Sequence, residues 1–84
     1  MALRFGDKVS TAATDYGTVL LDERSGQYWE LNPTAGLIVT TLLAGGDETA
    51  AADALLAEFA IDRTQAERDV AALVEELRAS GLAA

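Results

Sequence analysis

Residues 18–34 read T-V-L-L-D-E-R-S-G-Q-Y-W-E-L-N-P-T, and this stretch constrains the fold more than any other in the chain. It holds an apolar strand, a turn closed by glycine, an aromatic strand and, with no linker, a capped helix start. Glu23-Arg24-Ser25-Gly26 puts glycine where a type I turn needs a left-handed residue before the chain re-enters a ladder, so Gln27–Leu31 is expected to run antiparallel to the strand before it. The period of two in that strand sets Trp29 and Leu31 on one face and Tyr28 and Glu30 on the other, with Trp29 and Leu31 facing inward.

Upstream, residues 9–13 form a short, weakly patterned strand, and Asp15-Tyr16-Gly17 supplies turn chemistry before the second strand. That second strand, residues 18–22, is the most apolar of the three and is expected at the centre of the sheet. Downstream, Asn32-Pro33-Thr34 opens a first helix, because Asn or Thr can accept an orphan N–H and proline suits a first turn. Ala35, Ile38, Val39, Leu42 and Leu43 recur at helical spacing until Gly45-Gly46 stops the run. A second helix is expected over residues 50–59, capped by Asp47 or Thr49, with Ala51, Leu55, Leu56 and Phe59 buried. A third spans residues 65–79, capped by Asp62 or Thr64 and ended by Gly81. Its stripe is Ala66, Val70, Leu73, Val74 and Leu77, while Glu75 and Arg78 face solvent.

Three strands followed by three helices, with no linker or repeat, define one α+β domain over residues 1–84, with a three-stranded antiparallel sheet and a winged helix-turn-helix-like order. Eighty-four residues support one core of modest stability. In a simple meander the first and third strands have free edges. The third is the better built, and natural proteins blunt such an edge unless something docks there.

Composition removes most chemistry. The chain has no cysteine and no histidine, which excludes disulfides, thiol nucleophiles, imidazole bases and thiolate or imidazole metal sites. No cofactor and no metal is expected. Asp and Glu pairs could do acid–base work, but no local signature marks one, so an enzyme is the least favoured reading. The formal charge of -8 repels phosphate, so nucleic acid and anionic membrane are poor partners. No stretch approaches the roughly 20 apolar residues of a membrane span, and residues 1–8 hold no apolar run of a secretory start. A cytoplasmic location is the expectation.

The succession GTVLLDERSGQYWELNPTA, then LLAGGD, then DVAALVEELRASGL resembles the PqqD-like proteins, the leader-peptide recognition elements of ribosomally made peptide natural products. The resemblance covers residues 9–82, with YWELNP carrying the most weight. It implies a non-catalytic winged-helix-like protein that holds the leader of a precursor peptide as an added strand on the third strand, against the third helix. Carried over by position, the docking edge is Gln27, Tyr28, Trp29, Glu30 and Leu31, and the opposing wall is Asp69, Val70, Leu73, Glu76 and Leu77. The chain looks most like the discrete recognition protein of lasso-peptide pathways, which implies a leader peptidase and an ATP-dependent macrolactam synthetase as partners. Similar proteins serve pyrroloquinoline quinone biosynthesis, where the partner is a radical-SAM enzyme.

Each of these positions also has an ordinary structural role. Trp29 is a core aromatic first and a groove floor second. Tyr28 and Glu30 are by default solvent-side strand residues, and Val70, Leu73 and Leu77 are core residues of which those at the margin of the stripe can also serve a groove. The acids Glu67, Asp69, Glu75 and Glu76 form a solvated helix face, from which Asp69 is singled out because Asp69-Val70 matches the family's D-V pair.

Three rival functions fit parts of the sequence. An acyl carrier needs a serine at a helix start, whereas Ser10, Ser25 and Ser80 sit in a strand, a turn and a helix end. A winged-helix DNA-binding protein would need a basic third helix, and here Arg63, Arg68 and Arg78 face Glu67, Asp69, Glu75 and Glu76. A small acidic scaffold or antitoxin-like protein would, like the favoured reading, bind protein.

Overall fold

The computed structural model describes residues 3–15 and 17–84. Its elements are β1 (Val9–Thr14), β2 (Gly17–Asp22), β3 (Gln27–Leu31), α1 (Pro33–Leu43), α2 (Glu48–Glu58) and α3 (Arg63–Ala79). The sheet is an antiparallel meander in the order β1-β2-β3, so the apolar strand is central as its composition required. Tyr16, in the expected turn, lies outside the described residues.

Local chemistry sets the boundaries. Gly26 has φ of 75° and closes the hairpin, donating its N–H to the Asp22 carbonyl at 2.9 Å. Each helix starts on a side-chain cap. Asn32, Asp47 and Asp62 accept the N–H of Ala35, Ala50 and Gln65, each at 2.8 Å. Aspartate rather than threonine therefore caps α2 and α3, and each of these helices begins two residues before the sequence-based expectation. Phe59 sits just beyond α2 as its extended C-cap instead of inside the helix.

The helices share one core: Ile38 and Leu42 of α1, Ala51, Ala52 and Leu55 of α2, and Ala66, Val70 and Val74 of α3. Leu56 and Phe59, expected to be buried, are only partly so, and Ala52 takes the inner place instead. Ala51, Ala52 and Ala66 make this interface close, since a methyl group lets helix axes approach where a longer side chain would hold them apart. A second cluster joins the sheet to the helices through Leu20, Val39, Leu77, Leu82 and Ala83.

Among the helices, α1 packs most closely on the sheet. Gly36 makes this possible: a Cβ there would stand 2.9 Å from Thr18 Oγ1 and 3.1 Å from Thr18 Cβ. Helix α3 leans on α2 and stands off from β3. On the surface, Arg63 Nη2 meets Asp53 Oδ1 at 2.6 Å, linking α3 to α2. That hydrogen bond raises the guanidinium pKa above its usual value. Because both side chains are largely exposed, the pair adds little stability.

Candidate peptide-binding groove

The space between β3 and α3 is a groove of about 430 Å³. Trp29 and Leu31 line it from the strand, Leu73, Glu76 and Leu77 from the helix. Leu20 contributes from the central strand, and Ala79, Ser80 and Leu82 close one end. The lining is thus aliphatic and aromatic, with a carboxylate and a hydroxyl at the margin. That character suits an apolar side chain with its backbone held nearby.

The strand edge beside the groove is defined by parity. Glu23 N–H donates to the Lys8 carbonyl at 3.0 Å, which turns the backbone of the odd-numbered residues of β2 toward β1. Thr18, Leu20 and Asp22 therefore face β3, where their register partners are Leu31, Trp29 and Gln27. Those three residues direct their backbone groups at β2. Tyr28 and Glu30 point their N–H and C=O groups outward, to the open edge. The same argument places the outward groups of β1 at Thr11 and Ala13, the partners of Leu20 and Thr18.

Side chains alternate with the same period. Trp29 lies opposite the buried Leu20 on the helical face, while Tyr28 lies opposite Leu21 on the outer face and is 64% exposed. Edge backbone and groove side chains therefore belong to different residues of one strand: Tyr28 and Glu30 offer hydrogen bonds, Trp29 and Leu31 offer surface.

Of the ten residues named from the sequence, five border the groove: Trp29, Leu31, Leu73, Glu76 and Leu77. Gln27 and Tyr28 border a shallow hollow at the hairpin end of β3, together with Trp29. Asp69 lies one turn away in a depression between α3 and the start of α1, shared with Asn32, Thr34, Leu73 and Glu76, and its Oδ1 accepts from Gln65 Nε2 at 2.8 Å. Val70 is 1% exposed and belongs to the helical core, so it supports the wall from behind. Leu20, Ala79, Ser80 and Leu82 were not anticipated. The available signal was Leu82 directly after Gly81, the pattern of a hydrophobic contact beyond a helix C-terminus.

Glu30, the tenth, borders a hollow of about 510 Å³ at the other end of the sheet, together with Leu31, Thr14, Gly17, Asn32 and Pro33. It is more polar than the groove and has no wall from α3. Among the described residues no group of acidic side chains could hold a metal ion, and no helix is long and apolar enough to cross a membrane.

Residues 17–83 match the family described as coenzyme PQQ synthesis protein D, PqqD. This chain is a member of the PqqD family. Two solved structures are similar throughout. One, a lasso peptide synthetase B1 complexed with the leader peptide, is 50% identical with a TM-score of 0.85, over 100% of this chain and 99% of that one. The other, TbiB1 in complex with the TbiA(beta) leader peptide, is 30% identical with a TM-score of 0.83, over 95% of this chain and 93% of that one. No curated protein matches the sequence. The PqqD match begins at Gly17, so β1 and the residues before it lie outside it.

Proposed function

We propose that this PqqD-family protein binds the leader segment of a precursor peptide and presents it to modifying enzymes, without catalysing a reaction itself. The observation that carries the reading is the pairing of an open β3 edge with an apolar groove, in a fold shared with two proteins solved with leader peptides. An extended leader would add as a fourth strand, bonding to the outward backbone groups of Tyr28 and Glu30. Two N–H and two C=O groups are available, each bond contributing about 0.5–1.5 kcal/mol. Because side chains alternate, every second leader residue would turn toward the helices and into the groove beside Trp29, Leu31, Leu73 and Leu77. Main-chain bonding supplies sequence-tolerant affinity, and the groove selects the side chains.

Each named residue then has a role. Trp29, Leu31, Leu73 and Leu77 form the apolar seat, and Glu76 meets a donor or cation at its margin. Tyr28 and Glu30 act through the strand edge, Gln27 anchors the hairpin end of β3 by pairing with Asp22, Val70 holds α3 in place, and Asp69 contributes negative potential. Partners are a lasso-type leader peptidase and macrolactam synthetase, favoured by the 50% identity to a lasso peptide synthetase B1. A radical-SAM enzyme of quinone-cofactor biosynthesis is the second reading, favoured by the PqqD family match.

Trp29 is the single tryptophan and lines the groove, so its emission reports occupancy directly. Adding the leader peptide complexed with the 50%-identical protein is expected to shift that emission saturably and to leave the peptide's mass unchanged. A scrambled peptide producing the same shift, or a change in peptide mass with this protein alone, would overturn the reading.

A further inference from the structure

The end of the groove is built from parts far apart in sequence. After α3, Gly81 (φ 81°) turns the chain back, and Leu82 and Ala83 both donate their N–H to the Leu77 carbonyl, at 3.1 and 3.3 Å. Residues 82–84 then pair with residues 4–6. Gly6 N–H donates to the Leu82 carbonyl at 3.0 Å, Arg4 N–H to the Ala84 carbonyl at 3.0 Å, and Ala84 N–H to the Arg4 carbonyl at 2.7 Å. Phe5 and Ala83 form the bridge between them. Leu3 and Phe5 pack against both hydrophobic clusters, including the one that contains Leu82.

Leu82 is therefore buried and lines the groove, although it lies beyond the last helix. On its N-terminal side it is carried by the helix end. On its C-terminal side it is held by residues 4–6, which precede the stretch that matches the PqqD family.

We propose that this terminal clasp is a positioning element of the leader groove, fixing Leu82 at its closed end so that clasp closure and leader binding reinforce each other. The inference rests on the groove being the leader site. With Leu82 in place the groove has a third apolar wall besides Trp29 and Leu73. With the clasp open that wall is free to swing into solvent, and the peptide loses part of its seat. Linkage makes the effect reciprocal: whatever factor of affinity is lost on opening the clasp is the factor by which bound leader suppresses its opening. Phe5 and Gly6 are positioning residues, since they act through Leu82.

Gly6 allows a clean test. A Cβ there meets nothing closer than Val9 Cγ2 at 3.5 Å, and its φ is not left-handed, so Gly6→Ala fits and keeps the N–H. Gly6→Pro removes the donor to Leu82. Using the same leader peptide as probe, Gly6→Pro is expected to weaken binding roughly tenfold, about the upper value of one hydrogen bond, and Gly6→Ala to leave it unchanged. Hydrogen exchange on the unaltered protein gives a readout that a merely structural role would not move. Saturating peptide should slow the Arg4 and Ala84 amides by a factor matching that loss, and more than it slows the Glu23 amide, which bonds Lys8 and lines no part of the groove. If the peptide binds the unaltered protein but Gly6→Pro binds equally well and clasp exchange is unaffected, the inference is wrong and the groove reading stands. If the unaltered protein does not bind the peptide, the groove reading fails and the inference with it.

Discussion

Leu73 and Val70 sit one turn apart on α3, and their exchange for alanine separates groove from core. Leu73 is half-buried and borders the groove; Val70 is 1% exposed and belongs to the helical core. Truncating a fully buried leucine costs about 2–5 kcal/mol. Leu73 already meets solvent in the free protein, so Leu73→Ala should cost about 1–2 kcal/mol of stability. In the complex the leader covers the exposed part of that side chain. At about 25 cal/mol per Å², covering roughly 40–60 Å² is worth about 1–1.5 kcal/mol, or roughly five- to twelvefold in Kd. Val70→Ala removes two buried methyl groups and leaves a void, for about 1.5–3 kcal/mol of stability. It gives nothing up at the peptide surface. Urea unfolding followed by Trp29 fluorescence measures the first quantity, and fluorescence polarisation of a labelled leader measures the second. The expected pattern is crossed: the Val70 variant is less stable with an unchanged Kd, and the Leu73 variant is more stable than it but binds worse. Equal losses of affinity in both, or an unchanged Kd for Leu73→Ala, would refute the assignment of α3 as a groove wall.

Tyr28→Ala should leave leader affinity within about 0.5 kcal/mol of the original in the same polarisation assay, because its side chain projects from the outer face while its backbone stays at the edge. Glu76→Gln should raise the dissociation rate of a leader bearing Lys or Arg, since Glu76 borders the groove. Asp69→Asn, in the neighbouring depression, should lower only the association rate, an effect that salt removes. Stopped-flow kinetics at two ionic strengths distinguishes these outcomes. Gly36→Ala should destabilise the fold by about 1–3 kcal/mol in urea titration, because the new methyl must displace Thr18 from the contact between α1 and β2.

The hairpin, β3 and the first helix start were legible because each is written locally: alternation in YWEL, glycine at the turn, and Asn32 before Pro33. Their bounds in the structure match almost to the residue. The groove was only half legible. Along α3 the residues Val70, Leu73, Val74 and Leu77 read as one stripe, yet the helix uses two directions. Val70 and Val74 meet α1 and α2, Leu77 joins the sheet-side cluster, and Leu73 touches both. Periodicity shows that a face is apolar, but not which neighbour covers it. The clasp was not legible at all, since residues 4–6 and 82–84 carry no strand pattern and pair across the whole length of the chain. Which strand-three residues offer their backbone outward also depended on the observed register, because a one-residue shift would exchange Tyr28 and Glu30 for Trp29.

Strand addition to β3 is the central claim, and amide hydrogen exchange at single-residue resolution tests it most directly. On binding leader, the N–H groups of Tyr28 and Glu30 pass from an open edge into a ladder, whereas those of Thr11 and Ala13 on the far edge of β1 do not. The account predicts strong slowing of exchange at Tyr28 and Glu30 and little change at Thr11 and Ala13. Protection appearing at Thr11 and Ala13 instead, or a saturated complex in which Tyr28 and Glu30 exchange as fast as in the free protein, would contradict it.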